Sequence, residues 1–276
     1  MSDLEIENFA AAGAGVSGQT EDANSKSALT ERATAGLVTW TGPLMLVMGR
    51  SVLMIAAQAF AACLSWLRFH SWSWNGAAKW WSVYGTIVDA GCLALMAAYT
   101  HTEGIRLRDL IGRVRFRWGR DFFVGVGCFL LISPFFALGF PAANWLVFRT
   151  FQQPAFAGML SARVLPLWGV VYSLSAWWLV WSPTEEMTYN GYALPRIEVL
   201  SGSRWKALLI VGFWWALQHS FLPFILDWRY VAWRFLAFLP GVVVFMLIYL
   251  RLRRLPPLIL AHWTMDISAL FFTLKF

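Results

Sequence analysis

Charge is what this 276-residue chain has least of: Asp, Glu, Lys and Arg make up 13% of it. Soluble globular domains carry about 25% charged and about 45–50% apolar residues, whereas this chain is 59% hydrophobic and 17% aromatic. That scarcity argues against a soluble fold with an oversized core. Cysteine is also scarce. Cys63, Cys92 and Cys128 each fall within an apolar run, without the spacing of a disulfide framework or a metal site, and read as packing residues. No cleavable signal peptide is evident. No convincing internal repeat is found, which argues against an inverted-repeat transporter for ions or protons. No basic face stands on a soluble module, so nucleic acid is not an expected partner.

What is present is a series of apolar runs long enough to cross a bilayer. The reading is an all-α, polytopic transmembrane helix bundle of about seven or eight spans. Residues 1–35 hold six acids (Asp3, Glu5, Glu7, Glu21, Asp22, Glu31) against Lys26 and Arg32, and are rich in Ala, Gly, Ser and Thr. They read as a disordered acidic cytoplasmic tail. Residues 36–276 form the bundle. Spans are expected near 43–69, 80–100, 122–143, 165–181, 205–226, 231–250 and 258–274. Pro134 is expected to kink the third. Pro183 is expected to break or kink the chain after the fourth, and Glu185 and Glu186 to open a new helical stretch. Six arginines between Arg106 and Arg120 read as an interfacial helix or basic loop, and an eighth helix near 145–164 would move the C-terminus to the other side. Arg196, Arg204, Lys206, Arg251, Arg253 and Arg254 fall on the same side as that stretch, so the N-terminus is expected in the cytoplasm. The expected setting is a bacterial inner membrane, with membrane lipids as the surroundings.

The apolar helices also hold ionisable groups. Placing one at the bilayer centre costs about 2.5–3.5 kcal/mol on the mildest scale, so such groups are retained where they are used. Arg50 and Asp89 are expected to pair between the first two helices. Glu185 and Glu186 follow the Trp-rich run 175–181. His219 closes Trp215-Ala216-Leu217-Gln218-His219, and His262 stands four residues before Asp266. Residues four apart share a helix face. His219 lies about 20 Å of helical rise beyond Lys206, at a depth comparable to His262 and Asp266. A carboxylate beside a neutral imidazole in a low-dielectric pocket activates water, and a second His with a polar neighbour stabilises an oxyanion. The same donors suit zinc, with Glu185, His219 and His262 as ligands if a metal is used. Either version hydrolyses a carbonyl compound, and the peptide bond of a membrane-associated protein is the natural substrate. Glu185 and Glu186 also suit a helix N-terminus, but a cap does not account for His219 and His262. Trp214, Trp215, Trp228, Trp233 and Trp263 flank these segments.

The three segments resemble the CPBP family of intramembrane proteases, which includes the eukaryotic type II CAAX prenyl endopeptidase. The family pattern is Glu-Glu-x-x-x-Arg, Phe-x-x-x-His and His-x-x-x-Asn or Asp, in that order on separate helices. The resemblance covers about residues 165–270. It implies Glu185 as the water-activating base, His219 as its partner, Glu186 in support, and His262 with Asp266 on the oxyanion side. It implies a membrane-associated or lipidated peptide as substrate. The chain departs from the pattern twice: Asn190 stands where the family has Arg, and Trp215 where it has Phe. Asn190 and Trp215 are the expected substrate-side residues. A non-catalytic relative that shields or scaffolds a membrane partner, such as an immunity protein, is the alternative reading.

Overall fold

The computed structural model describes residues 22–111, 118–152 and 164–274. The described residues form an all-helical bundle. Helix α1 (Lys26–Thr34) is capped by the Ser25 hydroxyl, which accepts from the Ala28 N–H. Helix α2 (Thr41–Phe69) ends at His70 in the left-handed conformation. The short α3 (Trp74–Ala78) is capped by Ser73 and leads into α4 (Trp81–Thr102). A 3₁₀ turn, Leu107–Ile111, precedes α5 (Trp118–Phe148). Then comes one unbroken rod: α6 (Leu167–Tyr172), a π turn (Ser173–Trp177), α7 (Trp178–Glu186), a second π turn (Met187–Ala193) and α8 (Leu194–Ser201). Gly202, at φ +63°, closes the rod where a Cβ would be strained. Helix α9 (Arg204–Gln218) follows directly, capped by Ser203. Asp227 caps α10 (Trp228–Leu252), and Pro256 and Pro257 open α11 (Pro256–Thr273).

Four of these helices are long and apolar enough to cross a membrane: Thr41–Phe69, Trp81–Thr102, Gly119–Phe148 and Trp228–Leu252. This corrects the count of seven or eight among the described residues. The physical reason is the polar site itself. Helix α9 stops after 15 residues, about 22 Å of rise against a hydrocarbon core of about 30 Å. The rod carries Glu185, Glu186, Asn190 and Arg196 along its length, and α11 carries His262 and Asp266.

Other expectations are also corrected. The rod runs through Pro183 without a break, so Glu185 and Glu186 lie mid-rod, not at a helix start. Helix α5 carries Pro134 and Pro141 within its span, and its continuity does not bear on the kink expected at Pro134. Neighbouring helices make such prolines tolerable in an apolar bundle. Of the Arg106–Arg120 stretch, Leu107–Ile111 is a 3₁₀ turn with Leu110 buried; residues 112–117 lie outside the described residues. So does most of the expected eighth helix, at 153–163.

Within the expected tail 1–35, residues 22–35 are described and carry α1, residues 1–21 being outside the described set. Asn24 donates to the Gly191 carbonyl at 2.8 Å, which seats α1 against the second π turn. Arg196 binds Glu103 at 2.7 and 2.5 Å, and Arg32 lies 3.8 Å from the same carboxylate. Burial, then the neighbouring Arg196 charge, pulls Arg32 below the ordinary guanidinium range, while Glu103 opposes that shift. The ion pairs Arg253–Glu198 (2.7 Å) and Arg254–Asp121 (2.9 Å) tie α8, α10, α11 and α5 together at this same end.

Close helix approach sets the rest of the bundle. Helix α10 packs chiefly on α5, where a Cβ at Gly139 would collide with the Ala237 carbonyl. Small residues at such crossings let backbones approach in an apolar medium. The largest buried cluster gathers Trp215, Tyr189, Phe245, Met246 and Tyr249 around the inner faces of the rod, α9 and α10. The catalytic-type side chains stand beside it.

Candidate active site

Glu185 and Glu186 are fully buried. They sit at the junction of α7 and the second π turn, a wide turn of the kind that recurs at functional positions. Adjacent residues on a helix point about 100° apart, so the two carboxylates serve different partners.

Glu185 faces α9 and α2. Its Oε1 accepts a short hydrogen bond from the Trp215 indole N–H. The same oxygen lies 3.8 Å from His219 Nε2. Its Oε2 lies 3.6 Å from Arg50 Nη2. Trp215 is itself held by the Tyr189 ring, stacked on it at 5.0 Å and 4°.

His219 stands at the very end of α9. Its Nδ1 bonds the Trp215 carbonyl at 2.9 Å. A carbonyl only accepts, so Nδ1 carries the hydrogen, and in the neutral ring Nε2 is left as an acceptor. The ring stacks on Phe238 at 3.8 Å, and the Arg234 guanidinium lies 4.6 Å from the centre of that phenyl ring.

The loop after α9 is non-helical backbone inside the bundle. It is satisfied by side chains, as an apolar medium requires. Arg234 donates to the carbonyls of His219 (2.9 Å) and Leu222 (3.3 Å). Gln58 accepts from the Phe224 N–H at 2.7 Å and donates to the Phe224 carbonyl at 3.0 Å. Trp74 donates to the same carbonyl at 2.7 Å. These bonds fix where α9 ends and therefore where His219 sits. The fifth span, expected to run to about Leu226, stops at Gln218 for this reason.

Glu186 faces α11. Its Oε1 accepts from His262 Nδ1 at 3.0 Å, and its Oε2 accepts from the Asn190 amide at 2.8 Å. His262 Nε2 lies 3.9 Å from Asp266 Oδ1, and Asp266 Oδ2 accepts from the Ser182 hydroxyl at 2.6 Å. Asp266 is thus anchored on the rod, while Glu186 orients the imidazole. His219 and Asp266 each keep about 16% of their side-chain surface exposed, so the rim of the cluster is open while its glutamates are closed in.

The structure therefore brings all three segments together, with both imidazoles turned toward the paired acids. The two expected substrate-side residues lie inside the cluster. Asn190 and Trp215 are buried, and both commit their N–H groups to the glutamates. The Trp that replaces the family's Phe adds a hydrogen-bond donor that Phe lacks. Trp228, expected near the site, is largely exposed, and Trp233 packs against Phe140 and Tyr230. For zinc, Glu185, His219 and His262 do not form a ligand set: among the described residues no three His, Cys, Asp or Glu side chains gather as metal donors. A cavity of about 270 Å³ bounded by Gly42, Tyr99, Thr102 and Tyr192 lies beside α2 and α4, away from the acids.

One residue escaped the motif reading. Arg50, from the middle of α2, pairs with Asp89 at 3.1 Å as expected, and also reaches Glu185. The available signal was an arginine in the middle of a largely apolar helix, far from the Arg68 that closes it.

Long apolar helices around a closed acid–imidazole cluster define a multi-pass membrane protein with an enzyme-like centre. The family model described as Type II CAAX prenyl endopeptidase Rce1-like matches residues 167–268. A domain of that protease family is present over this part of the chain, which holds all three motif segments. No curated protein and no solved structure matches the chain.

Proposed function

We propose that this protein is an intramembrane endopeptidase that hydrolyses a peptide bond of a membrane-associated protein. The supporting observation is the pairing of His219 Nε2 with Glu185 Oε1 at 3.8 Å. With Nδ1 committed to a carbonyl, the neutral ring and the carboxylate are two acceptors facing each other. Two acceptors do not bond each other, and 3.8 Å leaves a water within about 2.8 Å of both. Such a water donates one hydrogen to each and presents its oxygen lone pair to a carbonyl carbon.

In this reading Glu185 takes the proton of the attacking water, His219 Nε2 positions that water and then receives the proton from the protonated carboxyl, and the resulting imidazolium gives it to the leaving amine. His262 donates Nε2–H to the developing oxyanion, held in orientation by Glu186 through Nδ1. Asp266 stays on Ser182 and faces the cationic form of His262. The substrate enters from the lipid or from the end of the bundle where the basic residues cluster. The matched family's description makes a C-terminally prenylated peptide the first substrate to try.

The full burial of Glu185 and Glu186 is the observation that favours the second reading, a non-catalytic scaffold or immunity protein. Purified protein in vesicles, offered prenylated and unprenylated membrane-anchored peptides with and without a chelator, separates the two. Cleavage lost in Glu185→Gln and His219→Asn supports the hydrolase. A biological effect that survives both substitutions supports the scaffold.

A further inference from the structure

The matched family's pattern places an arginine one turn after the glutamate pair, and this chain has Asn190 there. The Asn190 amide goes to Glu186 and brings no charge. Glu185 is fully buried, and a buried carboxylate is retained in ionised form only beside a compensating cation or several donors. Among the described residues its ion-pair partners are Arg50 and His219; a neutral His219 brings no charge, and the cationic His262 is bonded to Glu186.

We infer that Arg50, on α2 and outside residues 167–268, is the positioning residue that supplies the missing positive charge to Glu185. The guanidinium is fully buried and is held through Nη2 and Nε. Nη2 meets Asp89 at 3.1 Å and Glu185 at 3.6 Å, Nε donates to Gln218 Oε1 at 2.9 Å, and the guanidinium carbon lies 4.2 Å from the centre of the Trp181 ring. Gln218 Oε1 also accepts from the Tyr189 hydroxyl at 3.0 Å. Gln218 directly precedes His219. One arginine therefore registers the glutamate of the rod against the end of α9, and Asp89 of α4 anchors it from behind. A lysine cannot reproduce this fork, because its three donors radiate from one atom. The active unit accordingly includes α2 and α4, which lie outside the matched domain.

The kinetic arm of the test rests on the hydrolase reading; a spectroscopic arm does not. The variants Arg50→Gln, Arg50→Lys and Arg50→Gln/Glu185→Gln are made in the full chain. Infrared difference spectra in vesicles are expected to show a new protonated-carboxyl carbonyl band in Arg50→Gln that is absent from wild type and from the double variant. Cleavage by Arg50→Gln is expected to fall about 100-fold. Should Arg50→Gln fail to fold, Arg50→Lys carries the test: it keeps Glu185 ionised and loses about tenfold in turnover. An Arg50→Gln protein with no new carboxyl band and turnover within about twofold of wild type overturns the inference, as does a protonated Glu185 in Arg50→Lys. If wild type cleaves nothing, the hydrolase reading fails by itself, and the infrared arm still decides the role of Arg50.

Discussion

His219 presents Nε2 to Glu185 across 3.8 Å because its other nitrogen is tied to the Trp215 carbonyl one turn back. The tautomer is set by backbone chemistry, and the same helix turn supplies the indole that holds Glu185. Acid and imidazole are thus positioned by one residue, Trp215, through its carbonyl and its ring nitrogen.

Removing either member of this pair is expected to abolish hydrolysis while sparing the fold. Glu185→Gln keeps an oxygen to accept from Trp215, and His219→Asn keeps a small polar group beside Phe238. Neither substitute takes a proton near neutral pH. Turnover should fall about 10²–10⁴-fold in each. Single-turnover cleavage, alongside a thermal melt of each variant, measures this. Wild-type turnover in a folded Glu185→Gln protein removes the water-activation scheme.

On the opposite side, His262→Ala and Glu186→Gln should differ in degree. The first deletes the donor assigned to the oxyanion and is expected to cost about 10²–10³ in kcat. The second leaves an amide oxygen for His262 Nδ1 at the same place, so the ring stays oriented and the loss is smaller. Steady-state kcat for both variants tests the order; an equal or greater loss in Glu186→Gln would assign Glu186, not His262, to the reacting atoms.

Arg234 makes a different prediction, about position and not chemistry. Arg234→Met strips two part-buried carbonyls, those of His219 and Leu222, of their donor. An unmet buried acceptor costs about 1–3 kcal/mol. A Tm lower by about 2–8 °C follows, with partial recovery in Arg234→Lys, which keeps one donor. Differential scanning in detergent reads it out, and an unchanged Tm would mean the loop is held by Gln58 and Trp74 alone.

The extent to which this was legible in sequence follows from what each residue contacts. The order Glu185-Glu186, His219, His262-Asp266 was readable because each group stands alone in an apolar run, where charge is costly. The Arg50–Asp89 pair was readable for the same reason. The third contact of Arg50 was not, since it depends on how α2 packs against the rod. Helix boundaries failed where side chains replaced the backbone ladder: α9 stops at Gln218 because Arg234 and Gln58 satisfy the loop that follows. Pro183 misled for a related reason. The rod continues through it with π turns on both sides, and a π turn has no signature in hydrophobic spacing.

Asn190 supplies the last prediction. It occupies the position of the family arginine and stands in the second π turn, where the wider ring brings residue 190 one turn beyond Glu185 as well as Glu186. If charge compensation is what the site requires, its source is exchangeable. Asn190→Arg placed in the Arg50→Gln background is expected to recover about tenfold of the lost turnover. Asn190→Arg alone should gain little, because Arg50 already serves Glu185. The four proteins of this cycle, assayed together, give the coupling between positions 50 and 190 directly. Strictly additive effects would mean that the two sites act independently, and the arginine at 50 would then be tied to Asp89 and the packing of α2 and α4 instead of to the glutamate.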